Sequence, residues 1–155
     1  MRIVITGGAG FLGTRLAAKL LERGALTDAR GRERRIGSLV LLDVVPAART
    51  GDPRVTAVTG DLADPAVIAG AVTADTDTVF HLAAVVSGQA EADFDLGMRV
   101  NLDATRALLE RCRSLAAPPK FVFASSLAVF GGPLPDPVPD SAPVTPQASY
   151  GTQKA

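Results

Sequence analysis

The sequence predicts an α/β protein built on a doubly wound parallel sheet with helices on both faces. Short apolar runs suited to buried strands alternate with stretches of helical periodicity, the pattern produced by parallel strands joined through helical crossovers. Between the first strand and the first helix lies TGGAGFLG at 6–13, and Tyr150 stands four residues before Lys154 at the far end of the chain.

Ile3, Val4 and Ile5 make a first strand over 2–6. The loop after it works through backbone geometry. Gly7 and Gly10 permit a tight turn and the close approach of a phosphate, and Gly13 is expected to let the next helix lie flush on the sheet. A diphosphate there would meet unpaired N–H groups and the positive end of a helix over 11–22. Phe11, Leu12, Leu16, Leu20 and Leu21 supply that helix's apolar spacing, and Gly24 suits its C-cap. With a strand before it and a helix after it, the loop reads as dinucleotide-binding and the fold as Rossmann-type.

A polar insertion over 24–37 contains RGRERR at 30–35, expected to be a solvated loop because no aromatic residue interleaves with the arginines. The second strand, 38–43, ends on Asp43, whose carboxylate can accept both ribose hydroxyls of NAD and repels the extra phosphate of NADP. Asp43 lies 30 residues past Gly13 instead of about 20, and the insertion explains the excess. A third strand is placed at 54–58. Asp61 and Leu62 follow it, where they either hold an adenine or, for Asp61, cap the next helix. Asp64 is assigned the cap of a helix over 64–72 that starts with Pro65.

The fourth strand, 77–82, runs into His81, Leu82, Ala83 and Ala84, small residues at the end allowing a cofactor to lie against the backbone. His81 is assigned a structural, hydrogen-bonded role. A helix is placed at about 91–115 on the spacing of Phe94, Met98, Leu102, Thr105, Leu108, Leu109 and Cys112, and Pro118 and Pro119 end that connection. The fifth strand, 119–124, delivers Ser125 near the cofactor and Ser126 to the substrate oxygen. Gly131, Gly132 and six of the eleven prolines make 131–146 an extended, semi-rigid loop. A last helix is expected from Thr145 as N-cap, with Pro146 in its first position.

On that helix Tyr150 and Lys154 share one face, with Cβ atoms ~5–6 Å apart. A free phenol titrates near pH ~10, and a positive charge at ~5 Å, with an effective dielectric of ~20, favours its phenolate by ~3 kcal/mol. Lys154 and the nicotinium ring of NAD are the two candidate charges. Tyr150 can then take a hydroxyl proton as hydride leaves the adjacent carbon for NAD.

With 155 residues, 47% of them hydrophobic, the chain suits one domain, 1–155. The usual sixth strand and any substrate-binding elements have no sequence in it. The piece alone is therefore expected to expose a sheet edge, to be poorly stable or associate, and to bind NAD weakly or not at all, without turnover. Net charge is zero, yet residues 1–54 carry +5 and the remainder −5. Cys112 reads as a buried, reduced thiol, and the single His81 lacks partners for a zinc site, so no metal is expected. No apolar run is long enough for a membrane span, and the opening strand leaves no room for a signal peptide, so cytoplasm is the default.

The TGxxGxxG loop, Asp43, Asp61-Leu62, HLAA at 81–84, Asn101, the serine pair and YxxxK resemble, in order, the extended short-chain dehydrogenase/reductase family, which includes nucleotide-sugar epimerases and dehydratases. The resemblance implies that Asn101 holds the helix and a water near the active site. It also implies that Ser126 and Tyr150 touch the reacting oxygen and that Lys154 binds the nicotinamide ribose as well. Residues 85–110, 130–140 and 145–155 are more narrowly similar to a branch of the family that uses NAD to oxidise the C2 hydroxyl of a four-carbon sugar acid.

Three other functions compete. Dehydratases of this family follow the central Ser or Thr with an Asp-Glu pair, and Leu127 and Ala128 stand there instead. An epimerase shares the early motifs, its sugar-nucleotide pocket lying outside this sequence. A non-catalytic dinucleotide-binding module would have no use for Ser126, Tyr150 and Lys154 together. The substrate carboxylate needs a cationic or amide partner. Ser87, Gly88 and Gln89 either line that pocket or form a loop and helix cap, while Arg99 reads as a solvated helix charge. Partners are thus a small sugar acid, neither nucleic acid nor membrane, with a homodimer open through helices such as 91–115.

Overall fold

Ile3, Val4, Ile5, Leu39 and Val79 are fully buried, and the strands they define carry the fold. Residues 1–48 and 50–155 are described by the computed structural model. They divide into two compact units, one formed by 1–83 with 106–124 and the other by 84–105 with 125–155.

The first unit contains β1 (Arg2–Thr6), α1 (Phe11–Arg23), β2 (Ala25–Thr27), β3 (Glu33–Arg35), β4 (Ser38–Asp43), β5 (Val55–Thr59), α2 (Pro65–Ala71) and β6 (Thr76–His81). Most of the later helix Ala104–Ser114 and the strand Lys120–Phe123, here α5 and β7, also belong to it. Five strands form one parallel sheet in the order β5-β4-β1-β6-β7. The chain starts in the middle, winds outward through β4 and β5, and returns past β1 to β6, so the winding direction reverses between β1 and β6. Ligands of such sheets sit at the carboxyl ends of the strands flanking that reversal.

Alternation of side chains along each strand explains why both faces are apolar. Ile3 and Ile5 of β1 and Leu39 and Leu41 of β4 pack with Ala17 and Leu20 of α1. The residues between them, Val4, Val40 and Leu42, are buried as well. The right-handed crossover rule puts α2 and α5 on the face away from α1, and Ile68, Ala71, Leu108 and Cys112 bury their side chains there. Burial pushes the Cys112 thiol above its ordinary range, as expected of an inert core cysteine. Gly24 caps α1 with φ +70°, its N–H on the Leu20 carbonyl.

In place of a solvated loop over 30–35, residues 33–35 form β3, antiparallel to β2. Asp28 folds the connection. Its carboxylate, 7% exposed, accepts the N–H groups of Arg30 and Arg32 and the Arg32 guanidinium. Arg23 with Glu33 and Arg34 with Asp77 add ion pairs.

The second unit contains α3 (Ser87–Ala92), α4 (Phe94–Gly97), a π-helical turn (Met98–Asp103), a 3-10 turn (Leu127–Val129) and α6 (Ser149–Lys154). Helical structure therefore begins at 87, earlier than the expected 91, and 91–115 is not one helix. Asp93, with φ −134°, ends α3 and caps α4 by accepting the Leu96 N–H, a local bond that competes with continuation of the helix. Thr145 is not an N-cap. Its hydroxyl donates to the Gly131 carbonyl at 2.8 Å and its N–H to the Val129 carbonyl at 2.9 Å, tying the proline-rich loop, and α6 starts four residues later. No helix among the described residues is long and apolar enough to cross a membrane.

Candidate functional site

In the first unit the glycine loop closes through the Gly10 N–H on the Gly7 carbonyl at 3.1 Å, and the Gly8 N–H ties it to the Leu42 carbonyl of β4. Gly7 has φ +69°, and a Cβ on it would stand 2.8 Å from the Ala83 backbone nitrogen after β6. Gly13 serves a different purpose from the one expected. A Cβ there would lie 2.1 Å from the Gly7 carbonyl oxygen and 2.8 Å from the Gly8 Cα, so the helix packs on the loop itself. Gly8 is the glycine whose Cβ would strike the sheet, at Leu41.

Gly10 is the N-cap of α1 and offers no side-chain acceptor, and no acidic residue sits in the first turn. The N–H groups at that end lack intrahelical partners by construction. The charge of this helix end suits a diphosphate. Phe11 and Leu12, 74% and 61% exposed, stand at the same helix end.

Asp43 ends β4 half-buried. One carboxylate oxygen accepts the Ala9 N–H at 2.9 Å, and the other accepts the Val45 N–H at 3.3 Å. A carboxylate has about four acceptor sites, so capacity for ribose hydroxyls is left. The Gly60 N–H on the Asp43 carbonyl holds the ends of β4 and β5 together, just before Asp61. Asp61 accepts the Ala63 N–H in a local turn, Leu62 is buried, and Asp64 caps α2 through the Ala66 N–H with Pro65 in the first position, as expected.

His81 is fully buried, 2.6 Å from the Thr6 hydroxyl through Nδ1 and stacked near Phe123, a structural position. Thr6 Oγ1 also accepts the Ala83 N–H, which sets the backbone of Leu82 and Ala83 at the strand end. No cluster of metal-ligating side chains occurs among the described residues.

Within the second unit four contacts converge on α6. Asn101, 1% exposed on the π-helical turn, clamps Val85 by accepting its N–H at 2.9 Å and donating to its carbonyl at 3.0 Å, next to Ala84. It also donates to Gln153 Oε1 at 2.8 Å. Ser125 Oγ donates to the Lys154 carbonyl at 2.8 Å. Gly151 lies against the 3-10 turn, where a Cβ would stand 2.2 Å from the Ala128 carbonyl oxygen. Glu91 Oε1 accepts the Ser149 hydroxyl at 2.9 Å and the Tyr150 N–H at 2.8 Å.

Tyr150 is half-buried and Lys154 is 3% exposed. Desolvation lowers the Lys154 ammonium pKa from the ordinary lysine range. Ser126 Oγ accepts the Ala128 N–H at 3.2 Å to cap the 3-10 turn, which leaves its hydroxyl hydrogen to donate. Ser87, Gly88 and Gln89 form the exposed first turn of α3, and Arg99 is exposed on the π-helical turn.

Sequence reasoning missed Glu91, Gln153 and Gly97. A Cβ on Gly97 would meet the Gln153 amide at 2.7 Å, so that glycine makes room for the Gln153 to Asn101 bond. Gln153 alone carried a readable signal: a polar residue beside Lys154, on the side of α6 that the helical period turns inward.

Residues 3–155 match the model of the NAD dependent epimerase/dehydratase family. The chain is 61% identical over 155 residues to D-erythronate dehydrogenase of Cupriavidus necator, covering all of this chain and 48% of that protein. It is 48% identical over 156 residues to the D-erythronate dehydrogenase of Haemophilus influenzae, again over the whole chain and 47% of the relative. The crystal structure of a nucleoside-diphosphate-sugar epimerase from Agrobacterium tumefaciens superposes with a TM-score of 0.88 at 44% identity, covering 99% of this chain and 45% of the other. The chain thus spans about half the length of the curated relatives it matches.

Proposed function

We propose a function for a chain that belongs to the NAD dependent epimerase/dehydratase family: oxidation, with NAD, of the C2 hydroxyl of a small sugar acid, D-erythronate, to the 2-oxo acid. The observation that carries this reading is the 61% identity to a D-erythronate dehydrogenase over the entire chain.

Gly7, Gly10, Phe11, Leu12 and Gly13 hold the diphosphate in this reading. Asp43 takes the ribose hydroxyls, Asp61 and Leu62 the adenine, and Leu82, Ala83 and Ala84 lie along the coenzyme, while Asn101 and Ser125 are also assigned to cofactor binding. When bound, NAD supplies the hydride acceptor. Ser126 donates its free hydroxyl hydrogen to the substrate oxygen and Ser87 contacts the sugar acid. The C2 hydroxyl proton passes to Tyr150 as its C–H hydride departs, which leaves a carbonyl. Lys154 favours the phenolate through its charge and binds the nicotinamide ribose. Its burial supports that role, since a desolvated ammonium acts on a neighbour through a weaker dielectric screen.

A nucleotide-sugar epimerase is the second reading, favoured by the 0.88 TM-score to the Agrobacterium structure. The two separate on products. The full-length protein, given NAD and a panel of sugar acids and sugar nucleotides, is expected to accumulate NADH with D-erythronate, whereas turnover of a sugar nucleotide without net NADH would establish the epimerase. Tyr150→Phe is expected to remove about 10²–10⁴-fold of turnover while sparing NAD binding, and undiminished activity would refute Tyr150 as base. Cytoplasmic location and a homodimer accompany this proposal, the latter checked by sedimentation.

A further inference from the structure

We infer that Glu91 is a positioning residue for the proton-transfer helix, supplying from α3 the N-cap that the sequence of α6 lacks and so setting where Tyr150 stands. The inference rests on the reading of Tyr150 as base.

A helix leaves its first N–H groups without intrahelical acceptors, and an N-cap side chain accepting from the second or third helical position is the usual remedy. The N-cap of α6 is Ala148, which has no acceptor to offer. Glu91 Oε1 fills the place from 59 residues away in sequence, taking the Tyr150 N–H at 2.8 Å and the Ser149 hydroxyl at 2.9 Å with one atom. Tyr150 is the second residue of the helix, the position an N-cap ordinarily serves. A carboxylate is also the right charge for that helix end. The Tyr150 N–H foremost, then the Ser149 hydroxyl, hold the Glu91 carboxyl below its ordinary range, so it is ionised at neutral pH.

Side chains from other elements of the unit grip α6. Ser125 holds the Lys154 carbonyl at the far end, and Asn101 holds Gln153 beside it. Glu91 is the grip at the Tyr150 end. Losing it frees the phenol while leaving Lys154 anchored. Because Ser87 lies on the same short helix as Glu91, the bond also links the segment assigned to the substrate with the residue assigned to the proton.

Kinetics of the full-length protein with Glu91→Ala, Glu91→Gln and the double variant Glu91→Ala/Ala148→Asp test this, together with amide hydrogen exchange over 149–154. Glu91→Ala is expected to lower kcat by about five- to tenfold, the factor that corresponds to a lost cap, with KM for NAD unchanged and exchange in α6 accelerated. Glu91→Gln keeps an acceptor oxygen and is expected to retain most of kcat. In the double variant a local cap should restore both turnover and slow exchange. Wild-type turnover and exchange in Glu91→Ala overturn the inference. So does a loss that Ala148→Asp fails to restore, which would mean that Glu91 meets the substrate directly. Should Tyr150→Phe retain turnover, the base assignment fails, and the exchange data alone then decide whether Glu91 caps α6.

Discussion

The carboxylate of Asp43 accepts the backbone N–H of Ala9 at 2.9 Å, so the last residue of β4 braces the glycine loop that follows β1. The residue proposed to read the ribose therefore also braces the loop proposed to hold the diphosphate. The two duties draw on different properties of one side chain, its charge and its oxygen.

Asp43→Asn keeps an oxygen for Ala9 and loses the charge. NAD affinity is expected to fall about tenfold, the low end for a hydrogen bond to a charged group, with discrimination against NADP reduced. Asp43→Ala also loses the brace and should unfold more easily by about 1 kcal/mol. Calorimetric titration and thermal melting separate the two effects. Unaltered NAD affinity in the Asn variant would place the carboxylate away from the ribose.

Gly13→Ala drives a methyl group to within 2.1 Å of the Gly7 carbonyl oxygen, and the neighbour is backbone rather than a flexible side chain. Relief requires the loop to move, at a cost of about 1–3 kcal/mol. NAD binding should weaken by at least about tenfold. Gly70→Ala is the control, since a Cβ at that position of α2 meets nothing within 4 Å. It should stabilise the protein by about 0.5–1 kcal/mol and leave NAD binding intact.

Lys154 makes stability depend on pH in a direction opposite to that of a salt-bridged lysine. Burial lowers its folded pKa below the unfolded value near 10.5, so the charged form is penalised on folding. The penalty is fully present below the folded pKa and is relieved as pH rises through it towards the unfolded value. Lys154→Met is expected to melt higher than the parent at neutral pH, an advantage that shrinks on approach to the ordinary lysine range, while turnover is lost. A melting temperature lowered by the substitution at neutral pH would contradict the sign.

Much of the first unit was legible because its signals are local. The apolar runs at 3–5 and 39–42, the Gly24 stop and the Asp64-Pro65 start each act through neighbours within a turn or a strand, and the observed elements fall within a residue or two of expectation. The failures share a cause. Residues 33–35 became a strand because Asp28 gathers Arg30 and Arg32 around one carboxylate, and the helix at 91–115 broke because Asp93 took the Leu96 N–H. In both places an acidic side chain bonded to nearby backbone N–H groups set the local structure. Thr145 had the chemistry of a cap but found Gly131 across the loop first.

Chain order alone determined that a parallel sheet would carry a glycine turn after its first strand, because strand and helix periods and backbone-permissive residues are properties of adjacent positions. Folding in three dimensions decided which atoms hold the turn and α6: Asp43 on Ala9, Asn101 on Gln153, Glu91 on Tyr150. Those pairs lie 34, 52 and 59 residues apart. No local spacing encodes them, since a hydrogen bond needs its partners within about 3 Å and only the packed chain brings them there.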